Sequence, residues 1–263
     1  MGLIRSEPGT VWRLTLDRPE QRNAVSGPLM EELAARLADA AASPNVRVVV
    51  LAGAGEHFSA GADVSELLEA TGGPGAIEYG RAFEEVLRAI ADHPVPVLAR
   101  VQGAALGAGC QLAVACDLAL ASLDARIGIP SSRLGILINF ENVERLAMAV
   151  GAKRAAEMLF TGRELRGEEA AGWGLVNAAV PADRLDREVD ALAGRIAEAA
   201  PISVRGSKRG IREVLRGLSL QREVDGHRVA DFDMMAAQAF DSADLREGLA
   251  AFRERRTPRF EGR

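Results

Sequence analysis

The chain has 263 residues, 48% of them apolar, enough to bury one large core with or without a smaller piece beside it. Its formal net charge is −5, with basic residues spread among the acids, so neither a nucleic-acid face nor a basic membrane-binding helix is expected. Aromatic residues are only 4%, which leaves the packing to alanine, valine and leucine.

Cysteines Cys110 and Cys116 lie six apart in one expected helix, a spacing unsuited to a disulfide. The three histidines are far apart in sequence and define no metal site. No apolar run has signal-peptide or membrane-spanning length, so a cytoplasmic protein under reducing conditions is expected.

Residues 11–16 (VWRLTL) alternate as a strand and stop at the turn Asp17-Arg18-Pro19. Pro28 suits a first helical turn, and Leu29, Leu33 and Leu37 mark one helix face as far as Ala42. Residues 46–52 (VRVVVLA) form the continuous β-branched run of a strand buried on both faces. Residues 72–75 (GGPG) read as a mobile loop, and 77–91 as an amphipathic helix with Phe83, Val86, Leu87 and Ile90 on one side.

Residues 98–117 (LARVQGAALGAGCQLAVACD) carry the most information. They read as a buried strand over 95–101, a tight turn through Gly103, Gly107 and Gly109, and an apolar helix. Such a turn leaves free backbone N–H groups at the start of the helix, where the helix dipole also favours negative charge. The anion held there is either a resident phosphate or one that exists only during reaction, in an oxyanion hole. A Walker loop is excluded, because Cys110-Gln111 stands where Lys and Ser/Thr are required. A dinucleotide fingerprint is excluded too, since no third glycine follows Gly107 and Gly109 at the required spacing. An ordinary strand-to-helix turn is the plain alternative.

A short strand over 118–121 follows, then the segment 127–137. Beyond it helices are expected over 141–150, 152–160, 167–171, 183–199, 203–216, 220–240 and 243–254, with one late strand over 175–180. The chain is thus an α/β half followed by a helical half, with no repeat and no low-complexity linker.

Taken together, LTLDRPEQRNAV, HFSAGADVSEL, VQGAALGAGCQLAVACDL, FTGRELRGEEAAGWGLVNAAVP and AFRERRTPRF resemble the crotonase superfamily, the enoyl-CoA hydratase/isomerase family, over nearly the whole chain. The resemblance implies a spiral of ββα units over 1–200 and a helical C-terminal trimerisation region over 201–263. It implies a homotrimer or a hexamer built as a dimer of trimers. It also implies an acyl-CoA thioester substrate, with coenzyme A entering as part of the substrate rather than as a separate cofactor.

The thioester carbonyl would sit between the backbone N–H groups of Ala62 and Ala108. Family members often carry glycine at the latter position, and alanine still supplies the N–H. Arg22, Ala24 and Ala60 would line the nucleotide end of the ligand, and Asp63, Val64 and Ser65 would flank it.

The sequence departs from that family where hydratases carry two carboxylates around one water. Here the positions hold Gln111 and Ser131. Glutamine orients water but accepts no proton, and an unassisted serine is a poor base near neutral pH. The expected acid/base is therefore Glu141, at the loop–helix junction where other crotonase branches place an aspartate near Asn139. Its plain alternative is a carboxylate stabilising a helix N-terminus. Tyr79 and Glu66 are weaker candidates for the acyl pocket, while His57, His93 and Asp117 read as loop or structural residues.

The expectation is an enzyme that stabilises a thioester enolate while hydrating or isomerising an enoyl-CoA. The alternatives are a malonyl-type acyl-CoA decarboxylase, a thioester hydrolase or a non-catalytic acyl-CoA-binding subunit. An RNA-binding role is disfavoured by the acidic charge.

Overall fold

The computed structural model describes residues 2–70, 75–220 and 241–259. Its strands are β1 (Ile4–Glu7), β2 (Val11–Leu16), β3 (Val48–Gly53), β4 (Val97–Val101), β5 (Ala104–Leu106), β6 (Leu118–Ser122), β7 (Arg126–Gly128), β8 (Glu164–Arg166) and β9 (Ala178–Val180). Six of them form one sheet in the order β1-β2-β3-β4-β6-β9, and β5-β7-β8 form a second. In the larger sheet only β1 runs antiparallel to its neighbour.

Parallel neighbours need crossovers, and the crossing helices cover both faces. This accounts for the unbroken apolar run of β3. Val49 and Leu51 face the main core, while Val48 and Val50 meet Leu98 and Leu120 on the opposite face. That second face lies under Leu185, Val189 and Ala193 of helix Ala182–Glu198.

The helices are α1 (Gly27–Ala42), α2 (Val64–Ala70), α3 (Gly75–Ala91), α4 (Ala108–Ala115), α5 (Phe140–Val150), α6 (Ala152–Thr161), α7 (Gly167–Trp173), α8 (Ala182–Glu198), α9 (Pro201–Leu220) and α10 (Ala243–Glu254). Ser26 caps α1 by accepting the Leu29 amide at 3.4 Å, Pro28 sits in its first turn, and Leu29, Leu33 and Leu37 are buried. α4 packs against both α3 and α5.

The glycine turn differs from the sequence expectation. The chain does not pass from β4 straight into α4 but inserts β5 between Gly103 and Gly107, paired in parallel with β7. The single late strand is corrected as well. It shortens to β9, and β8 joins it as a second, antiparallel to β7. Three residues are too few to display a period of two, which is why β5 and β8 leave no trace in the pattern. α2 was likewise not expected. The loop at 72–75 lies outside the described residues except for Gly75, which opens α3. The helix expected over 220–240 does so except for Leu220, which ends α9.

The C-terminal helices dock through specific contacts. Lys208 of α9 is buried and donates to the Asp117 carboxylate at 2.6 Å and to the Val95 carbonyl at 3.1 Å. Arg212 pairs with Asp92. α9 also leaves Ile202, Ile211, Val214 and Leu215 exposed. α10 buries Leu245 and Leu249.

Candidate active site

The site begins with a buried asparagine. Asn23 takes a left-handed backbone (φ 55°), as does its neighbour Arg22 (φ 51°), a conformation that asparagine tolerates better than most residues. Its Nδ2 donates to the carbonyls of Ala54 (2.9 Å) and His57 (2.7 Å), and its Oδ1 accepts the Arg18 amide at 3.0 Å. Arg18 donates in turn to the Ala24 carbonyl at 2.7 Å and pairs with Asp63 at 3.1 Å. The Ala60 amide donates to the Arg22 carbonyl at 2.9 Å.

Residues 18–25, with the expected nucleotide-end positions Arg22 and Ala24, are thereby laced to residues 54–63. Asp63 also accepts the Ser65 amide at 3.1 Å beside the start of α2, whose first residue is Val64.

Along the second of these segments the backbone amides are used one after another. Ala60 N is bonded as above, Gly61 N donates to Ser59 Oγ at 3.3 Å, and Asp63 N donates to the Val25 carbonyl at 2.9 Å. Ala62 N, between them, has no acceptor among the described residues. The other segment repeats the pattern. Leu106 N donates to Ser59 O at 3.0 Å and Gly107 N to Gly128 O at 2.9 Å, whereas Ala108 N opens the unpaired first turn of α4.

Two glycines bring these amides together. Gly61 has φ 113°, and a β-carbon on it would lie 2.9 Å from the Leu106 carbonyl oxygen and 3.8 Å from Ala108 N. Gly107 has φ 53° and ψ −116°, open only to glycine, and a β-carbon there would lie 3.9 Å from Gly61 Cα. Ala62 and Ala108 each follow one of these glycines, so their unpaired amides flank one close approach. Ala108 is also nearly buried at the positive end of the α4 dipole. Donors removed from water in this way act strongly on a negatively charged oxygen.

Gln111 stands one turn along α4 from Ala108, buried, its side-chain amide without a partner among the described residues. Ser131 opens the short 3-10 turn Ser131–Arg133, three residues past β7, and its hydroxyl likewise has no partner among the described residues. Glu141 lies in the first turn of α5, 3.6 Å from an Arg88 nitrogen, with a third of its side chain exposed.

Three contributors were missed in the sequence. Asn23 is one. Another is Glu84 of α3, 6% exposed, which accepts from Arg145 at 2.5 and 3.0 Å, from Arg88 at 3.1 Å and from Asn139 at 3.2 Å. Burial pushes its carboxyl up, but hydrogen bonds and charge from Arg145, with help from Asn139 and Arg88, hold it below the usual carboxylate range. Arg145 of α5 is the third. Each joins segments distant in sequence, Asn23 to Ala54 and His57 and Glu84 to Arg145, and those long-range bonds leave no local signal.

Of the weaker candidates, Glu66 accepts the Gly27 amide at 2.7 Å, and Tyr79 donates to the Val25 carbonyl at 2.7 Å. His57 accepts the Ala104 amide at 3.2 Å and Asp117 holds Lys208, both structural tasks. Cys110 and Cys116 are free thiols. Among the described residues no group of three His, Cys, Asp or Glu is placed to hold a metal ion, and no helix is long and apolar enough to cross a membrane.

The sheet, its covering helices and the glycine loops between them define an α/β protein of the crotonase type. A sequence model of the enoyl-CoA hydratase/isomerase family matches residues 6–263. A putative enoyl-CoA hydratase of Thermus thermophilus is 36% identical over 98% of this chain and 100% of its own length. The structure of an enoyl-CoA hydratase from Mycobacterium avium subsp. paratuberculosis K-10 superimposes with a TM-score of 0.83 at 31% identity, covering 99% of each chain. A methylmalonyl-CoA decarboxylase shares the fold with a TM-score of 0.88 at 23% identity, over 99% of each chain. The chain belongs to the enoyl-CoA hydratase/isomerase family.

Proposed function

We propose that this enzyme binds an acyl-CoA thioester and stabilises its enolate-like state between the amides of Ala62 and Ala108. The observation that carries the reading is the pair of unbonded N–H groups beside the Gly61–Gly107 approach, each following a residue whose own amide is satisfied. Each donor contributes about 3 kcal/mol to a developing oxyanion, by the magnitude found in other oxyanion holes. Arg22, Ala24 and Ala60 line the nucleotide end and Asp63, Val64 and Ser65 flank the ligand, a reading supported by the bonds that lace 18–25 to 54–63. Coenzyme A arrives with the substrate, and the enzyme needs no resident cofactor.

Hydration or isomerisation of an enoyl-CoA is the first assignment, supported by the hydratases among the relatives. Gln111 orients water, Ser131 supplies a hydroxyl, and Glu141 is the proton carrier. The long, partly exposed Glu141–Arg88 pair leaves that carboxylate able to swing, in contrast to Glu84, which Arg145 clamps.

One observation favours a second assignment, decarboxylation of a malonyl-type thioester. Gln111 and Ser131 stand where two carboxylates are expected, and loss of CO₂ generates the enolate without a strong base.

The deciding experiment follows crotonyl-CoA with the purified protein by loss of the enoyl absorbance, together with deuterium uptake at the α-carbon in heavy water. Turnover supports hydration. Binding without turnover or exchange, followed by CO₂ release from a malonyl-type thioester, supports the second assignment. Release of free CoA from either ester supports a thioester hydrolase, and binding with no reaction on either supports a non-catalytic acyl-CoA-binding subunit.

The protein works as a trimer or a dimer of trimers, with 201–263 as its trimerisation region. The apolar residues exposed on α9 support this, and sedimentation tests it. The cytoplasm is its compartment, in keeping with two free thiols. Neither a nucleic acid nor a membrane is among its partners, in keeping with the acidic charge.

A further inference from the structure

We propose that the Tyr79 hydroxyl is a positioning group for the Ala62 oxyanion donor, acting from α3 through the carbonyl of Val25. The proposal rests on the oxyanion-hole reading above and adds what aims one of its two donors.

The argument starts at an isolated parallel bridge between Val25 and Ala62. Val25 N donates to the Gly61 carbonyl at 2.8 Å, and the Val25 carbonyl accepts Asp63 N at 2.9 Å. Gly61 C=O and Ala62 N–H belong to one planar, trans peptide unit, so they point in opposite directions. Anchoring that carbonyl on Val25 therefore aims the Ala62 N–H away from Val25. The two bonds stand outside either sheet and gain nothing from a neighbouring ladder.

The third tether is Tyr79, whose hydroxyl donates to the same Val25 carbonyl at 2.7 Å. It reaches across 54 positions of sequence and ties the helix beside α4 to the residue that sets the donor's direction. Burial, and then the charges of Glu66 and Asp63, push the phenol far above its ordinary range, so it stays protonated and remains a donor.

Tyr79→Phe keeps the ring and deletes only the hydroxyl, and with it the bond to the Val25 carbonyl and the interaction with the Asp63 amide. The probe is cinnamoyl-CoA, whose absorbance moves to the red when hydrogen bonds polarise the bound thioester carbonyl. Wild-type protein should show the shift, and Ala108→Pro, which deletes the other donor, should lose most of it. In Tyr79→Phe the red shift should shrink and kcat fall about tenfold, while KM and the probe's dissociation constant stay within about twofold.

A full red shift with unchanged kcat in Tyr79→Phe overturns the proposal alone. A loss of probe affinity in step with a lowered thermal midpoint also overturns it, because that is what a merely structural bond would do. Wild-type protein that binds the probe without any shift overturns the oxyanion-hole reading itself, and the proposal with it.

Discussion

Gly61 and Gly107 approach so closely that a β-carbon on Gly107 would lie 3.9 Å from Gly61 Cα, and each is followed by an alanine whose amide no described group accepts. Ala108 is the first helical residue of α4, where proline is tolerated because the N–H it lacks has no helical partner. Ala108→Pro should therefore fold normally and fail as a catalyst. We expect kcat/KM to fall by about 100-fold or more. The thermal midpoint should move by less than about 3 °C, under about 1 kcal/mol at this size. Turnover equal to wild type would remove Ala108 from the site.

Gly109→Ala separates two opposing effects. Alanine gains about 1 kcal/mol of helix propensity over glycine. Its β-carbon, however, would press inside contact distance on the Ser59 carbonyl, a backbone oxygen that also accepts the Leu106 amide. Overpacking of this kind costs about 1–3 kcal/mol and the obstacle is not a flexible side chain, so the clash wins. The variant should unfold at lower urea concentration. It should also lose activity, because Ser59 belongs to the segment that carries Ala62.

That segment shows what local sequence reveals and what it hides. The apolar run of β3, the face of α1 and the glycine–alanine loops were readable because their causes are local: both faces covered, one face covered, and a turn that no side chain fits. β5 and β8 were not, since three residues cannot display a period and their pairing partners lie far along the chain. The positions of Ala62 and Ala108 could be named from motif order, but not that the amides of Gly61, Asp63 and Gly107 beside them are consumed. Asn23 and Glu84 stayed hidden for a related reason: the bonds that tie them to other segments reach 31 and 61 positions along the chain.

Glu84 and Glu141 sit on adjacent helices, both within reach of Arg88, and should respond oppositely to the same change. Glu84→Gln strips the charge from a buried pair and strands Arg145, so stability should fall by about 3 kcal/mol. Glu141→Gln breaks an exposed pair worth less than about 1 kcal/mol, so stability should hardly change. As the proposed proton carrier, however, it should lose about 100-fold in kcat on the true substrate. A Glu141→Gln enzyme as active as wild type would return that carboxylate to a helix-terminal role. Unaltered urea unfolding of Glu84→Gln would show that Arg145 finds another partner.

His93 should make the fold acid-labile earlier than its carboxylates do. It is 3% exposed, with Nε2 at 3.2 Å from the Leu37 carbonyl and Nδ1 at 3.1 Å from the Val95 carbonyl. That second carbonyl already accepts the Lys208 ammonium, itself held by Asp117. Burial, foremost, and the nearby Lys208 charge push the imidazole below its ordinary value, against the opposing pull of the two carbonyls and Asp117. The unfolded chain takes up its proton near pH 6.5, about the ordinary imidazole value, and the folded protein only at lower pH. Below about pH 6.5 the unfolded state therefore binds more protons, and stability falls as pH falls, by up to about 1.4 kcal/mol per pH unit from this group. The loss continues until the folded protein's own imidazole titrates. His93→Gln keeps a donor for the Leu37 carbonyl and cannot titrate. Its urea midpoint should decline less than that of wild type between about pH 7 and pH 5.5, where both proteins share the same carboxylates. Parallel curves for the two proteins would show that the imidazole is protonated in the fold as readily as out of it.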